Sequence, residues 1–306
     1  MTIILFGANN PSGAAFLNAC SISLPEIWGR RPPVNSNARY TYCDLTKPPL
    51  PNTRSISGVL VSFAPIWLLA PYITQRHESQ SESLQNLKGI IACSSSSFIT
   101  KRFAFNDDDK ELAAKLLQAH EMLRDICGKL NIPLQILAPT LVYGKVNGYT
   151  DKNISKISQI LHMLPFVILP KTTGLRQPIH ASQLAAIAFL QVQKILSGDW
   201  PDDEPEVLAL GGDSIITYEN MISRIKFALE QSDAPVNCQV IIIPDKLFFF
   251  LATPLLLLNP KLFEAIMRIK SNLSGFMKVH EILRIPPVDF PLLPLSSQRK
   301  KTSTYQ

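Results

Sequence analysis

A parallel α/β sheet wound on both faces by helices is the fold class that this 306-residue chain predicts. Three observations predict it. Short, almost wholly apolar runs recur through the first half (Thr2–Phe6, Gly58–Phe63, Lys88–Cys93 and Leu134–Leu137), as strands buried on both faces require. Helical patterns separate those runs, which is the signature of βα units. The composition, 46% hydrophobic and only 18% charged, excludes a disordered chain, and the length allows a substantial core.

The elements follow in order. Thr2–Phe6 reads as a strand and Ser12–Ser21 as a helix, with further strands at Pro25–Trp28, Arg39–Cys43 and Gly58–Phe63. The apolar stretch continues to Ile73 but carries Pro65 and Pro71, so a loop is expected after that fourth strand. Lys88–Cys93 is the fifth strand. A clear amphipathic helix comes next: Leu112, Leu116, Ala119, Leu123, Ile126 and Leu130 share one face, and Glu111, Gln118, Glu121, Arg124, Asp125 and Lys129 lie opposite. Asp107-Asp108-Asp109 stand just ahead of it, where carboxylates complement the positive helix end. Leu134–Leu137 is the sixth strand, closing at Pro139. Later come a helix at Gln183–Leu196, a strand at Val207–Leu210, a helix at Tyr218–Leu229, a strand at Val240–Ile243 and a proline-rich end at Pro286, Pro287, Pro291 and Pro294. The expected division puts 1–145 and 176–213 in the main sheet body, and 146–175 and 214–306 in a smaller part.

Charge and cysteines exclude several function classes. Lys and Arg exceed Asp and Glu by 30 to 24, net +6, with no basic cluster of the size that marks a nucleic-acid partner. Five widely spaced cysteines without a Cys-x-x-Cys pair fit neither a zinc site nor a disulfide framework, and metal is expected nowhere. The N-terminus reads as a strand and not a signal peptide, so a reducing, cytoplasmic location is expected. Gly58–Ile73 and Leu247–Leu258 are interrupted by Pro65, Pro71 and Pro254, and both fall short of the ~18–20 residues of a membrane span. No transmembrane segment is expected. Leu247–Leu258 is expected in the core, with a homodimer face or a membrane-surface contact as alternatives.

The first strand runs into Gly7-Ala8-Asn9-Asn10-Pro11-Ser12-Gly13 and then a helix. Gly7 permits a tight turn, Gly13 permits close helix–strand packing, and the amides of the helix start suit a pyrophosphate. Asn10 takes the place of a middle glycine, and a positive φ is expected there. The second strand ends in Trp28-Gly29-Arg30-Arg31. Arginines there, with no acid, accommodate a 2′-phosphate and point to NADP ahead of NAD. Asp44, after the third strand, is placed to accept from an adenine amino group.

Taken with Ser62-Phe63-Ala64-Pro65, Cys93-Ser94-Ser95-Ser96-Ser97-Phe98, Ala138-Pro139-Thr140-Leu141-Val142-Tyr143-Gly144, Gly174-Leu175-Arg176-Gln177-Pro178-Ile179-His180 and Leu210-Gly211-Gly212, these residues resemble the extended short-chain dehydrogenase/reductase superfamily, and within it the nucleotide-sugar epimerase/dehydratase-like proteins. The resemblance covers nearly the whole chain and implies a Rossmann-type doubly wound parallel sheet with a smaller C-terminal substrate part. It implies cofactor contacts at Gly7, Asn10, Gly13, Arg30, Arg31, Asp44, Ala64 and Pro139. It also implies a catalytic hydroxyl at Ser95, and Arg176 and Arg268 as clamps on a nucleotide-sugar diphosphate, since guanidinium pairs bidentately with phosphate. One feature of the family is missing. The Tyr-x-x-x-Lys pair that supplies its general acid/base has no counterpart, because none of the seven tyrosines has lysine four residues later. Lys101, Lys110, Lys115 and Tyr143 are the candidate replacements. The function expected is that of an NADP(H)-dependent nucleotide-sugar epimerase/dehydratase-like oxidoreductase; the alternative is a non-catalytic NADP(H)-binding sensor or assembly protein.

Overall fold

The structure, a computed structural model, describes residues 2–20, 24–34, 36–50, 54–102, 104, 106–231, 236–254, 263 and 266–292. The predicted helix end at Ser21, the leucines Leu255–Leu258 and Pro294 lie outside the described residues. The chain begins β1 (Ile3–Phe6), α1 (Pro11–Ala19), β2 (Glu26–Gly29), β3 (Tyr40–Tyr42), β4 (Gly58–Ser62), α2 (Ile66–Ser79) and β5 (Leu87–Cys93). It continues with α3 (Ser97–Thr100), α4 (Asp107–Leu130), β6 (Leu134–Pro139), β7 (Val142–Tyr143), β8 (Lys145–Val146), β9 (Tyr149–Thr150), α5 (Ile154–Met163) and β10 (Phe166–Pro170). Then follow β11 (Leu175–Arg176), β12 (Ile179–His180), α6 (Ala181–Ser197), β13 (Val207–Gly211), β14 (Ile216–Thr217), α7 (Tyr218–Glu230), β15 (Gln239–Ile243), α8 (Asp245–Ala252) and β16 (Met277–Lys278).

Side-chain alternation builds the body. Ile3, Leu5, Val59, Val61, Ile91 and Leu137 face the layer of α1 and α6, whereas Ile4, Phe6, Leu60, Ile90, Ala92 and Ile136 face that of α2 and α4. With both faces covered, most residues of a strand are apolar, which is why the strands read as nearly unbroken apolar runs. The strands pair in the order β16-β13-β6-β5-β4-β1-β2-β3, all in parallel. This is the doubly wound α/β sheet expected. Its order reverses between β1 and β4, so a crevice opens at the carboxyl ends of those two strands.

The loop expected after the fourth strand is instead α2, with Pro71 inside it. Proline removes one helical hydrogen bond and crowds the preceding turn. Here Ile66, Leu69, Ala70, Tyr72 and Ile73 nevertheless bury a continuous face against the sheet and α4, and that burial outweighs the local cost. Helix α5 and strand β10 were likewise not expected.

The smaller part has its own core, in which Ile154, Leu161, Leu169, Met221, Ile225, Leu229 and Phe290 meet. Strand β16 extends the large sheet beside β13, and the helical turn Val279–Leu283 packs on α6. The β8–β9 hairpin packs on α1.

Two glycines test the packing. A Cβ on Gly13 would stand 2.1 Å from the Gly7 carbonyl oxygen, whereas one on Gly128 of α4 meets nothing within 4 Å. Gly13→Ala is expected to cost about 1–3 kcal/mol by forcing α1 off β1. Gly128→Ala is expected to stabilise by about 0.5–1 kcal/mol through helix propensity. Urea unfolding of both variants reads the difference in sign.

Candidate functional site

The glycine-rich turn leaves the carboxyl end of β1 at the crevice. Gly7 has φ 77°, and a Cβ there would stand 2.5 Å from the Ala64 amide nitrogen, so the turn lies directly on the chain leaving β4. Asn10 departs from expectation. Its φ is −137°, extended and not left-handed, and its side chain caps α1: Oδ1 accepts the Gly13 N–H at 2.9 Å. Its Nδ2 donates to the Phe63 carbonyl at 2.9 Å, stapling the turn to the end of β4. An asparagine at the position before a helix gains more as a cap than as a left-handed residue. The cap has a consequence for ligands. Gly13's amide is taken and Pro11 has none, so the amides of Asn9, Asn10 and Ser12, which have no acceptor among the described residues, are what the turn offers an anion.

Arg30 and Arg31 follow β2 with both side chains exposed. Asn9 reaches across and donates from Nδ2 to the Arg31 carbonyl at 2.8 Å. Tyr149, on the β8–β9 hairpin, donates its hydroxyl proton to Asn9 Oδ1 at 2.9 Å and accepts from the Val34 amide at 3.1 Å. The hairpin is thus strapped to both the turn and the loop after β2. Asp44 accepts from the hydroxyl and amide of Thr46, which hold its carboxyl below the ordinary carboxylate range. Beside it an open cavity of about 330 Å³ is lined by Leu45, Lys47, Pro48, Trp67, Leu68 and Tyr72. Pro139 is buried at the end of β6, and its carbonyl accepts the Ser96 amide at 2.9 Å.

The serine run leaves β5 at the same edge. Ser95 Oγ donates to Ser97 Oγ at 3.0 Å and accepts from the Ser97 amide, a short turn that leaves it half-buried. Ser94 has a partner that sequence reasoning missed: its Oγ lies 2.7 Å from Nε2 of His120 on α4. Strand alternation explains the meeting, since Ala92 faces α4 and Ser94 is two residues on. His120 is buried, edge-on to Phe98, and burial holds its imidazole below its ordinary pKa of 6.5, so it is neutral at pH 7. The available signal was a lone histidine four residues after Leu116 and three before Leu123, on an otherwise apolar stripe.

The cations expected in the crevice are tied to the protein. Asp109, buried in the first turn of α4, accepts from Lys101 Nζ at 2.8 Å, from Asn106 Nδ2 at 2.9 Å and from the Arg268 guanidinium. Lys110 pairs with Asp107 and Lys115 with Glu111. Arg176 donates to the carbonyls of Leu175 at 2.8 Å, Ser271 at 2.5 Å and Arg268 at 2.6 Å, and stacks 5.1 Å from the Tyr218 ring. Tyr143 is buried with its hydroxyl accepting the Leu292 amide, and burial pushes its pKa up to about 12, far from the range of a base at neutral pH. Turn, Arg30, Arg31 and serine run therefore come together around the crevice, whereas Arg176 and Arg268 join an internal network.

That network should show in stability. Asp109→Asn removes the charge that both Lys101 and Arg268 contact, and the expected loss is about 1–3 kcal/mol, read by chemical unfolding. An unchanged midpoint would place those cations elsewhere in solution.

No protein-family model matches the chain, and no curated protein matches it in sequence. Solved structures do match. MoeE5 in complex with UDP-glucose and NAD is similar over 94% of this chain and 94% of its own, at 16% identity and TM-score 0.60. The UDP-glucuronic acid 4-epimerase of Bacillus cereus in complex with NAD matches over 80% of this chain and 90% of its own, at 15% identity and TM-score 0.55. The UDP-N-acetylglucosamine 4-epimerase of Bacillus cereus matches over 80% and 87%, at 13% identity and TM-score 0.56. The chain has the fold of these three solved structures.

Proposed function

We propose that the crevice binds a nicotinamide dinucleotide, NADP(H) ahead of NAD(H), and presents it to a nucleotide sugar or similar small molecule. The observation that carries this reading is the strand–turn–helix at β1 and α1, with the amides of Asn9, Asn10 and Ser12 free of acceptors among the described residues and two exposed arginines at the end of β2. The residues fit the group: amides for the pyrophosphate, Arg30 and Arg31 for a 2′-phosphate, and Asp44 with the cavity beside it for the adenine side. Proteins of the same fold are solved with NAD and UDP-glucose, which supports the substrate class. When bound, the nicotinamide would supply hydride transfer.

Proton handling then falls to this chain's own residues. With its proton on Nδ1, neutral His120 accepts at Nε2 from Ser94 Oγ. A proton leaving a substrate hydroxyl has a route to Ser94 Oγ as the proton of Ser94 passes to His120. Ser95, one residue on, can orient that hydroxyl. The second reading, a protein that holds the dinucleotide without catalysis, is favoured by one observation: Lys101, Lys110, Lys115 and Tyr143 all have partners within the protein.

Fluorescence titration should find NADPH bound more tightly than NADH, and Arg30→Asp with Arg31→Ala should reduce or reverse the preference. Equal affinities in the unaltered protein would refute the assignment of the arginines.

Turnover is tested with UDP-sugars and NADP. His120→Gln should slow any reaction by about 10²–10⁴-fold while leaving NADPH affinity unchanged. Because the acceptor is the neutral imidazole, the rate should hold above pH 6.5 and fall only as pH drops through the lowered His120 pKa. NADPH binding with no sugar turned over would favour the second reading.

A further inference from the structure

In α8, Leu247, Phe250 and Leu251 stand at i, i+3 and i+4 and share one face; Phe248 and Ala252 share another. Only the second face is buried. Leu247 and Leu251 are exposed and Phe250 is 74% exposed, so the segment expected in the core has an open apolar side. Neighbouring elements also expose apolar side chains. Helix α8 packs beside β10, whose Phe166 and Ile168 are exposed on one face, and Ile241 of β15, in register with Ile168, is exposed beside them. Helix α5 runs into β10 and ends in exposed Ile160, Met163 and Leu164, with Met163 80% exposed.

Charge decides what such a surface fits. Lys156 on α5, Lys171 just after β10 and Lys246 on α8 are exposed, and none forms an ion pair among the described residues. Across α5, β10, β15 and α8 the sequence holds one carboxylate, Asp245, and Lys270 neutralises it at 2.9 Å. A short helix with phenylalanine and leucine on one side and lysine at its flank is the pattern of an element lying in the plane of a membrane surface. A second copy would fit less well, because a self-paired face brings its lysines toward each other. No helix among the described residues is long and apolar enough to cross a membrane.

We propose that this face docks on an anionic lipid bilayer. Leu247, Phe250 and Leu251 enter the boundary between headgroups and acyl chains, while Lys156, Lys171 and Lys246 pair with lipid phosphates. The proposal is independent of what the crevice binds. It is tested by co-sedimenting the full chain with vesicles of phosphatidylcholine alone and of phosphatidylcholine with phosphatidylglycerol. At about 1 mM lipid the chain should pellet with the anionic vesicles only, and about 0.5 M salt should release most of it. Phe250→Glu with Leu251→Glu should abolish pelleting, and Lys246→Glu and Lys171→Glu should each weaken it by about fivefold or more. All four positions face solvent, so thermal melts of the variants should match the unaltered chain. No pelleting with anionic vesicles, or pelleting untouched by either pair of changes, overturns the proposal. So does a dimer in light scattering that Phe250→Glu dissociates, which would assign the face to a second copy.

Discussion

One buried carboxylate holds the wall of the crevice to the far end of the chain. Asp109 sits where α4 begins, and its partners come from three places: Lys101 from the segment after the serine run, Asn106 from the cap of α4, and Arg268 from the C-terminal part. A carboxylate taken out of water is tolerated only when its lone pairs are met by charged or polar donors. The tie continues outward, because the Arg268 carbonyl accepts from Arg176, whose guanidinium also caps Ser271 and stacks on Tyr218. Main sheet and smaller part are thereby joined by charge-assisted bonds running from α4 to β11.

This arrangement redistributes the positive charge around the crevice. Arg176 donates to three backbone carbonyls and Arg268 to a buried carboxylate, so both guanidinium groups are anchored within the protein. Arg30 and Arg31, on the side of the crevice reached from β2, are exposed. At the turn, Asn10 uses the Gly13 amide and Pro11 removes another donor, so under the proposed function an anion there would meet three amides, with the arginines supplying the longer-range attraction.

What was legible in the sequence follows from which residues have one physical use. Strands between two helix layers are largely apolar, so β1, β4, β5 and β6 were readable even with Lys88 and Gln135 among them, and α4 was readable from its period and its acidic first turn. The Gly7–Gly13 spacing was readable because only glycine permits that backbone approach. Helix α2 was hidden by Pro71, a local signal that tertiary burial overrode. Asn10 has two uses, left-handed backbone or helix cap, and local spacing does not separate them. An arginine that binds carbonyls is identical in sequence to one that binds phosphate, which is why Arg176 and Arg268 read as clamps. The Ser94–His120 contact depends on the phase of a helix against a strand, and that phase is set only when both pack on the sheet.

The hairpin strap shows how a shallow cradle can still be organised. Asn9 uses both ends of its amide, Oδ1 toward Tyr149 and Nδ2 toward the Arg31 carbonyl. These bonds fix the Arg31 backbone while leaving its guanidinium in solvent. A side chain whose backbone is already held loses less freedom on pairing with a phosphate than one on a loose loop, so more of its electrostatic gain reaches the bound state. Tyr149 also accepts from the Val34 amide, which closes a ring through the turn, the loop after β2 and the hairpin. Under the proposed function, a turn with few donors would gain from rigidity part of what it lacks in number. Here the rigidity comes from a two-residue β-pair beyond the main sheet, acting on the loop that carries the two exposed arginines.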